Sequence, residues 1–267
     1  MGETARELLR NGLKEKLARG EVAASMIVRL VSTIEIARLA KTAGFDSFYL
    51  DNEHNSFSLE TTSQICMAAL SAGITPLVRV PGLAPEYIAR VLDGGALGII
   101  APHIKSAADA ERAVWAAKFP PLGERGMTGA LPQLQYRSFS AAETVDAVNH
   151  ATMVIVMIET AEALAQVDGI AAVPGVDLLL IGTNDLSASL GIPGQYEHKL
   201  IRDAYVRGVD ACRKHKKHLG IGGLANAPQL IKEFVELGAR YVSTGSDLSF
   251  LLSAAASKAK QVRELPV

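Results

Sequence analysis

The stretch GFDSFYLDNEH (44–54) begins as a hydrophobic run and ends in three ionisable groups, Asp51, Glu53 and His54. An apolar run bounded by polar residues is the pattern of a strand buried on both faces. Ionisable groups at its carboxyl end are costly unless they meet water, a metal or one another. Similar polar residues follow other apolar runs: Arg29, Arg79, His103 and Lys105, Glu159, Asn184 and Asp185, and Ser246 and Asp247.

Glu159 and Asp185 follow the fifth and sixth predicted strands. Neighbouring strands lie about 4.8 Å apart, so both carboxylates could reach one hard cation. Mg²⁺ or Mn²⁺ takes one or two protein carboxylates and leaves its other positions to water and substrate oxygens. Arg79, in the sequence RVP, can fork onto a carboxylate or an enolate oxygen. His54 stands beside acidic residues that can orient it as a general base. His103 lacks an obvious orienting carboxylate between Pro102 and Ile104, and is the weaker base candidate. Backbone amides at Asn184 and Asp185 could receive a small carboxylate. Together these groups suit metal-assisted enolate chemistry on a 2-oxo acid.

Each residue also has a plainer role. Glu159 could cap the helix that follows it, and Asp185 could cap its own turn. Arg79 could close the barrel top in a salt bridge to Asp51 or Glu53. His54 could be a hydrogen-bonded histidine at the start of a loop.

Eight apolar runs alternate with helical segments, which predicts parallel strands and a βα architecture. The strands are expected at 25–30, within 46–54 around the apolar run 48–50, and at 75–80, 97–104, 153–158, 177–181, 219–222 and 241–243. No glycine fingerprint follows the first strand, so a (β/α)8 TIM barrel is favoured over an open doubly wound sheet. A leading helix at 4–19 and a terminal helix at 248–263 complete it. Ser32 and Glu35 have capping-box spacing. The irregular stretch 119–138 is long enough to be functional or mobile.

The 267 residues suit one barrel, spanning 1–267 as a single domain. A hydrophobic content of 49% supports a large core, and a net charge of −1 offers no footprint for nucleic acid or an anionic membrane. Two cysteines, Cys66 and Cys212, make neither a disulfide framework nor a zinc pattern. With no secretory signal or spanning apolar run, a cytoplasmic location is expected.

The stretches AGFDSFYLDNEH, PLVRVPG, VLDGGALGIIAPHI, PPLGERG, VMIETAEAL and GVDLLLIGTNDLSASLG resemble, in the same order, the HpcH/HpaI aldolases. The resemblance covers about residues 12–250. It implies a class II pyruvate aldolase of the 4-hydroxy-2-oxo-heptane-dioate aldolase type, acting on a small-molecule 2-oxo acid and an aldehyde. It implies a divalent cofactor (Mg²⁺ or Mn²⁺, with Co²⁺ or Zn²⁺ as further candidates) on Glu159 and Asp185. His54 falls on the base, Asp51 on its dyad partner and Arg79 on the enolate-stabilising arginine. Asn184 and Asp185 fall on the substrate-carboxylate amides, and Asp93 on an aspartate lent across a subunit interface. A homo-hexamer, as a trimer of dimers with exchanged C-terminal helices, is also implied. Met157 stands where many members have glutamine, which bears on the choice of oxo acid and aldehyde. Hydroxypyruvate is a further donor candidate, and Arg29 or Arg125 are candidates to meet a distal acid group. The alternatives are a CoA-ester lyase of the citrate lyase β or malyl-CoA lyase type, or a non-catalytic barrel that binds a carboxylate.

Overall fold

The computed structural model describes residues 3–265. Two short helices lead, α1 (Ala5–Leu8) and α2 (Gly12–Ala18). The expected alternation follows as β1 (Ala23–Val28), α3 (Glu35–Thr42), β2 (Ser47–Asp51), α4 (Leu59–Ala72), β3 (Thr75–Arg79), α5 (Pro85–Asp93), β4 (Gly98–Ala101) and α6 (Ala107–Ala117). A 3₁₀ turn at Pro132–Leu134 precedes α7 (Ala141–Ala151), β5 (Met153–Ile158), α8 (Ala161–Ala165), α9 (Val167–Ala172), β6 (Leu178–Gly182) and α10 (Thr183–Ser189). The chain ends with α11 (Lys199–His215), β7 (His218–Gly222), α12 (Pro228–Leu237), β8 (Tyr241–Ser246) and α13 (Asp247–Arg263). The strands pair in parallel in chain order and β8 closes on β1, so the predicted eight-stranded barrel forms.

The alternation of side chains along each strand divides the core in two. Inward residues such as Tyr49, Leu77, Ile155, Met157, Leu180 and Tyr241 fill the barrel, and Leu13 and Leu17 of α2 plug its amino-terminal mouth. Outward residues such as Phe48, Val78, Val156 and Ile181 pack beneath the helices. Because both faces are buried, these strands read as near-continuous apolar runs.

Local competition explains the departures from expectation. The leading helix is broken at Asn11, whose side chain caps α2 and donates to the carbonyls of Leu97 and Ala151. The capping box at Ser32 does not form, and α3 starts at Glu35 without a side-chain cap. The loop before it is held instead by Asp247, which accepts from the amides of Arg29, Leu30 and Val31. Strand β4 stops at Ala101 because Pro102 has no N–H to donate and His103 turns left-handed, with φ of 59°. Strand β8 runs on to Ser246. The irregular stretch 119–138 is anchored, since Gln133 buries its amide against the carbonyls of Leu92 and Ala96. Cys66 and Cys212 are buried and free. No helix among the described residues is long and apolar enough to cross a membrane.

Candidate active site

Inward positions at the carboxyl ends of β2, β3 and β5 carry Asp51, Arg79 and Glu159, the last one residue beyond its strand. The same parallel register sets Asp51 directly beside Arg79. The Arg79 guanidinium forks onto that carboxylate, Nε donating to Oδ1 at 3.0 Å and Nη2 to Oδ2 at 2.8 Å. Burial opposes the charge on both partners, and the fork outweighs it: Asp51 is held below the ordinary carboxylate range and Arg79 above its ordinary value. The third nitrogen, Nη1, lies 3.1 Å from Glu53 Oε2. The plainer sequence reading of Arg79, a salt bridge to both acids, therefore describes its immediate contacts.

Glu53 reaches further. Its Oε1 lies 2.9 Å from His103 Nε2 and its Oε2 lies 3.7 Å from His54 Nε2. The expectation that His103 lacks an orienting carboxylate is therefore corrected. The partner is Glu53, from the neighbourhood of β2, brought close when the barrel closes. The structure does not bring the Asp51 carboxylate to the His54 ring. Asp51 is taken by Arg79 and accepts only the backbone N–H of His54, at 3.1 Å, while the His54 imidazole is exposed at the rim.

Glu159 is buried beneath this cluster, and Oε2 accepts the His103 backbone N–H at 3.2 Å. Burial raises its pKa; that amide opposes the rise, and the charges of Glu53 and Asp185 add to it. Asp185, in the first turn of α10, therefore stands near enough for its charge to act on Glu159. Gly182 makes room for the carboxylate, since a Cβ there would lie 2.9 Å from Glu159 Cγ. Asn184 accepts the Tyr196 hydroxyl at 2.7 Å on its side-chain oxygen.

A hard divalent cation fits this donor set. Glu159 is buried and the charges of Glu53 and Asp185 act on it, while Glu53 Oε2, ion-paired to Arg79 at 3.1 Å, is buried and accepts no hydrogen bond among the described residues. Among the described residues no group of three or more His, Cys, Asp or Glu is placed to hold a metal ion, so a cation here would have at most two protein ligands of these types. Two carboxylates completed by water and substrate oxygens is the arrangement expected of Mg²⁺ or Mn²⁺.

Two residues fall elsewhere. Helix α5 returns to the amino-terminal ends of the strands, so Asp93 at its last turn lies at the opposite mouth. There Arg125 Nη2 donates to Asp93 Oδ1 at 2.6 Å. Arg125 cannot meet a ligand at its own chain's active mouth, which removes one of the two arginines suggested for that role. The basic run 213–217 also lies at the opposite mouth, with Lys214 and His215 paired to Asp168. Sequence reasoning missed the Glu53–His103 contact and the Gly182 recess. His103 was visible at a strand end, but its partner is remote in sequence.

The model of the HpcH/HpaI aldolase/citrate lyase family matches residues 24–254. The chain is 40% identical over 260 residues to the 4-hydroxy-4-methyl-2-oxoglutarate aldolase cghB of Chaetomium globosum, covering 96% of each. It is 43% identical over 246 residues to the 4-hydroxy-4-methyl-2-oxoglutarate aldolase tasA of Hapsidospora irregularis, covering 90% of each. The crystal structure of an HpcH/HpaI aldolase from Desulfitobacterium hafniense superposes with a TM-score of 0.89 at 33% identity, covering 95% of this chain and 97% of that one. The chain belongs to the HpcH/HpaI aldolase/citrate lyase family and is a carbon–carbon lyase of the aldolase type.

Proposed function

We propose that the protein is a metal-dependent class II aldolase that reversibly cleaves 4-hydroxy-2-oxo acids to pyruvate, or hydroxypyruvate, and a carbonyl compound. The observation that carries this reading is the burial of Glu159 beside Glu53 and Asp185, at the mouth that also holds the Arg79–Asp51 fork. Two relatives named for 4-hydroxy-4-methyl-2-oxoglutarate support a substrate of that class.

Glu159 and Asp185 would hold a divalent cation, which would supply Lewis acidity at the 2-oxo group. The exposed His54 imidazole takes the proton of the C4 hydroxyl. The C3–C4 bond breaks, C4 leaves as the carbonyl of the product, and the bonding pair becomes the enolate of pyruvate. Arg79, held rigid by Asp51 and Glu53, presents a fixed positive charge to that enolate. In the synthetic direction the same base role removes a proton from C3. The amides at Asn184 and Asp185 receive the 2-oxo acid's carboxylate.

Helix α13 leaves the barrel after the buried Asp247 and exposes Leu248, Leu251, Leu252 and Val262. This supports exchange of that helix between subunits of a hexamer, an assembly in which Asp93 would serve a neighbouring site.

Pyruvate release from 4-hydroxy-4-methyl-2-oxoglutarate, with EDTA and then with Mg²⁺ or Mn²⁺ restored, tests the reading. Loss and recovery are expected, with Glu159→Gln and Asp185→Asn inactive under both conditions. Activity that survives EDTA and dies with borohydride plus pyruvate would replace it with Schiff-base chemistry.

A further inference from the structure

We infer that Arg29 binds a second carboxylate, the one carried at C4 of the substrate, over a hollow on the β6–β8 side of the active mouth. The inference rests on the cleavage reading above and narrows its substrate to a dicarboxylate, whose departing half is itself a 2-oxo acid.

The two halves of the mouth are built differently. Strands β2 and β3 end on the inward charged residues Asp51 and Arg79, and Glu159 follows β5 by one residue. Strands β6 and β7 end in Gly182 and Gly222, and β8 has Gly245 before its last residue. Missing side chains there leave a cavity of about 400 Å³ bordered by Ile27, Asn184, Tyr196, Asn226, Ser243 and Gly245. Its polar groups are neutral amides and hydroxyls, suited to a carboxylate only if a cation stands beside them.

Arg29 is placed to be that cation. Ala23, Ser25 and Ile27 alternate inward along β1, so the next inward position is 29. The backbone there is held from both sides: Asp247 accepts its N–H at 3.1 Å and the Asn55 amide donates to its carbonyl. The side chain is exposed and has no ion-pair partner among the described residues, whereas Arg79 is paired twice. Below it, burial raises the Tyr49 hydroxyl while the charges of Arg79 and Arg29 pull it down, so both cations are felt at the floor of the mouth. Tyr49 Oη lies 3.4 Å from Ser243 Oγ, which borders the hollow. One arginine thus serves the enolate, and a second, fixed in backbone and free in side chain, faces the departing fragment.

The test compares Arg29→Gln with wild type in two assays. Calorimetric titration, with Mg²⁺ present, uses 2-oxoglutarate and 2-oxopentanoate, neither cleavable and differing in the distal carboxylate. Wild type is expected to favour 2-oxoglutarate at least tenfold, and Arg29→Gln to erase that preference without weakening 2-oxopentanoate. Turnover uses 4-hydroxy-4-methyl-2-oxoglutarate and 4-hydroxy-2-oxopentanoate, which carries hydrogen in place of the second carboxylate. Here kcat/KM should fall about 30-fold for the first, chiefly through KM, and less than twofold for the second. No binding preference in wild type, or equal losses on both substrates, would overturn the inference. A binding preference that Arg29→Gln erases, in a wild type that cleaves neither substrate, would uphold the subsite and reject the cleavage reading alone.

Discussion

Replacing Gly182 by alanine isolates the placement of Glu159 from every other property of the site. The backbone at Gly182 has a negative φ (φ −84°, ψ 86°), so an added Cβ meets no left-handed penalty and the perturbation is chiefly its contact with Glu159. The new Cβ would lie 2.9 Å from Glu159 Cγ and 3.0 Å from Oε1, whereas ordinary contact begins at 3.4 Å. The carboxylate stem must therefore retreat by about 0.5 Å, since a close-packed interior offers little slack. Its bond from the His103 amide, already 3.2 Å, would stretch or turn. Misplacing a catalytic group by about 1 Å costs roughly a hundredfold, so kcat/KM should fall about tenfold to a hundredfold. Overpacking should cost about 1–3 kcal/mol, seen as about 2–4 °C of Tm per kcal/mol in a chain of this size. Kinetics of pyruvate release across a Mg²⁺ titration would show a lower plateau and a raised metal midpoint. Gly169→Ala is the control: no atom lies within 4 Å of its added Cβ, and as a helical site it should gain up to about 1 kcal/mol with unchanged kinetics. A Gly182→Ala enzyme with wild-type kcat/KM and metal midpoint would refute the placement of Glu159 as the critical ligand.

Arg79→Met should destabilise the protein by about 3–5 kcal/mol in urea unfolding, because it strands the buried Asp51; adding Asp51→Leu should recover much of that stability and none of the activity. Lys118 is buried with its ammonium on the carbonyls of Asn149 and Thr152, and burial lowers its pKa to about 8 from 10.5. Between those values the unfolded chain binds the proton and the folded chain does not, so stability should rise with pH from about 8 to 10.5. The rise is on the order of 3 kcal/mol, and Lys118→Met should lose it; identical pH–stability curves would reject it. Sedimentation should show a hexamer, and truncation after Asp247 should dissociate it; a wild-type monomer would remove the proposed helix exchange.

Local patterns carried the architecture. Eight apolar runs separated by helical segments predict parallel strands because strands buried on both faces need apolar side chains at every position. Asp51, Arg79 and Glu159 were legible for the same reason, since charged residues that interrupt or follow such runs have only the barrel rim to occupy. Pairing among them was not legible. Asp51 precedes His54 by a few residues, yet strand register sets its carboxylate against Arg79 of β3. Glu53 finds His103 because closing the barrel brings those loops together. Position on a particular mouth was likewise hidden for Arg125 and Asp93, since helix direction decides it. Sequence alone therefore determined which residue types reach a strand end. Tertiary structure decided which charges neutralise one another, because a buried ion pair is set by distances of a few ångströms between segments far apart in the chain.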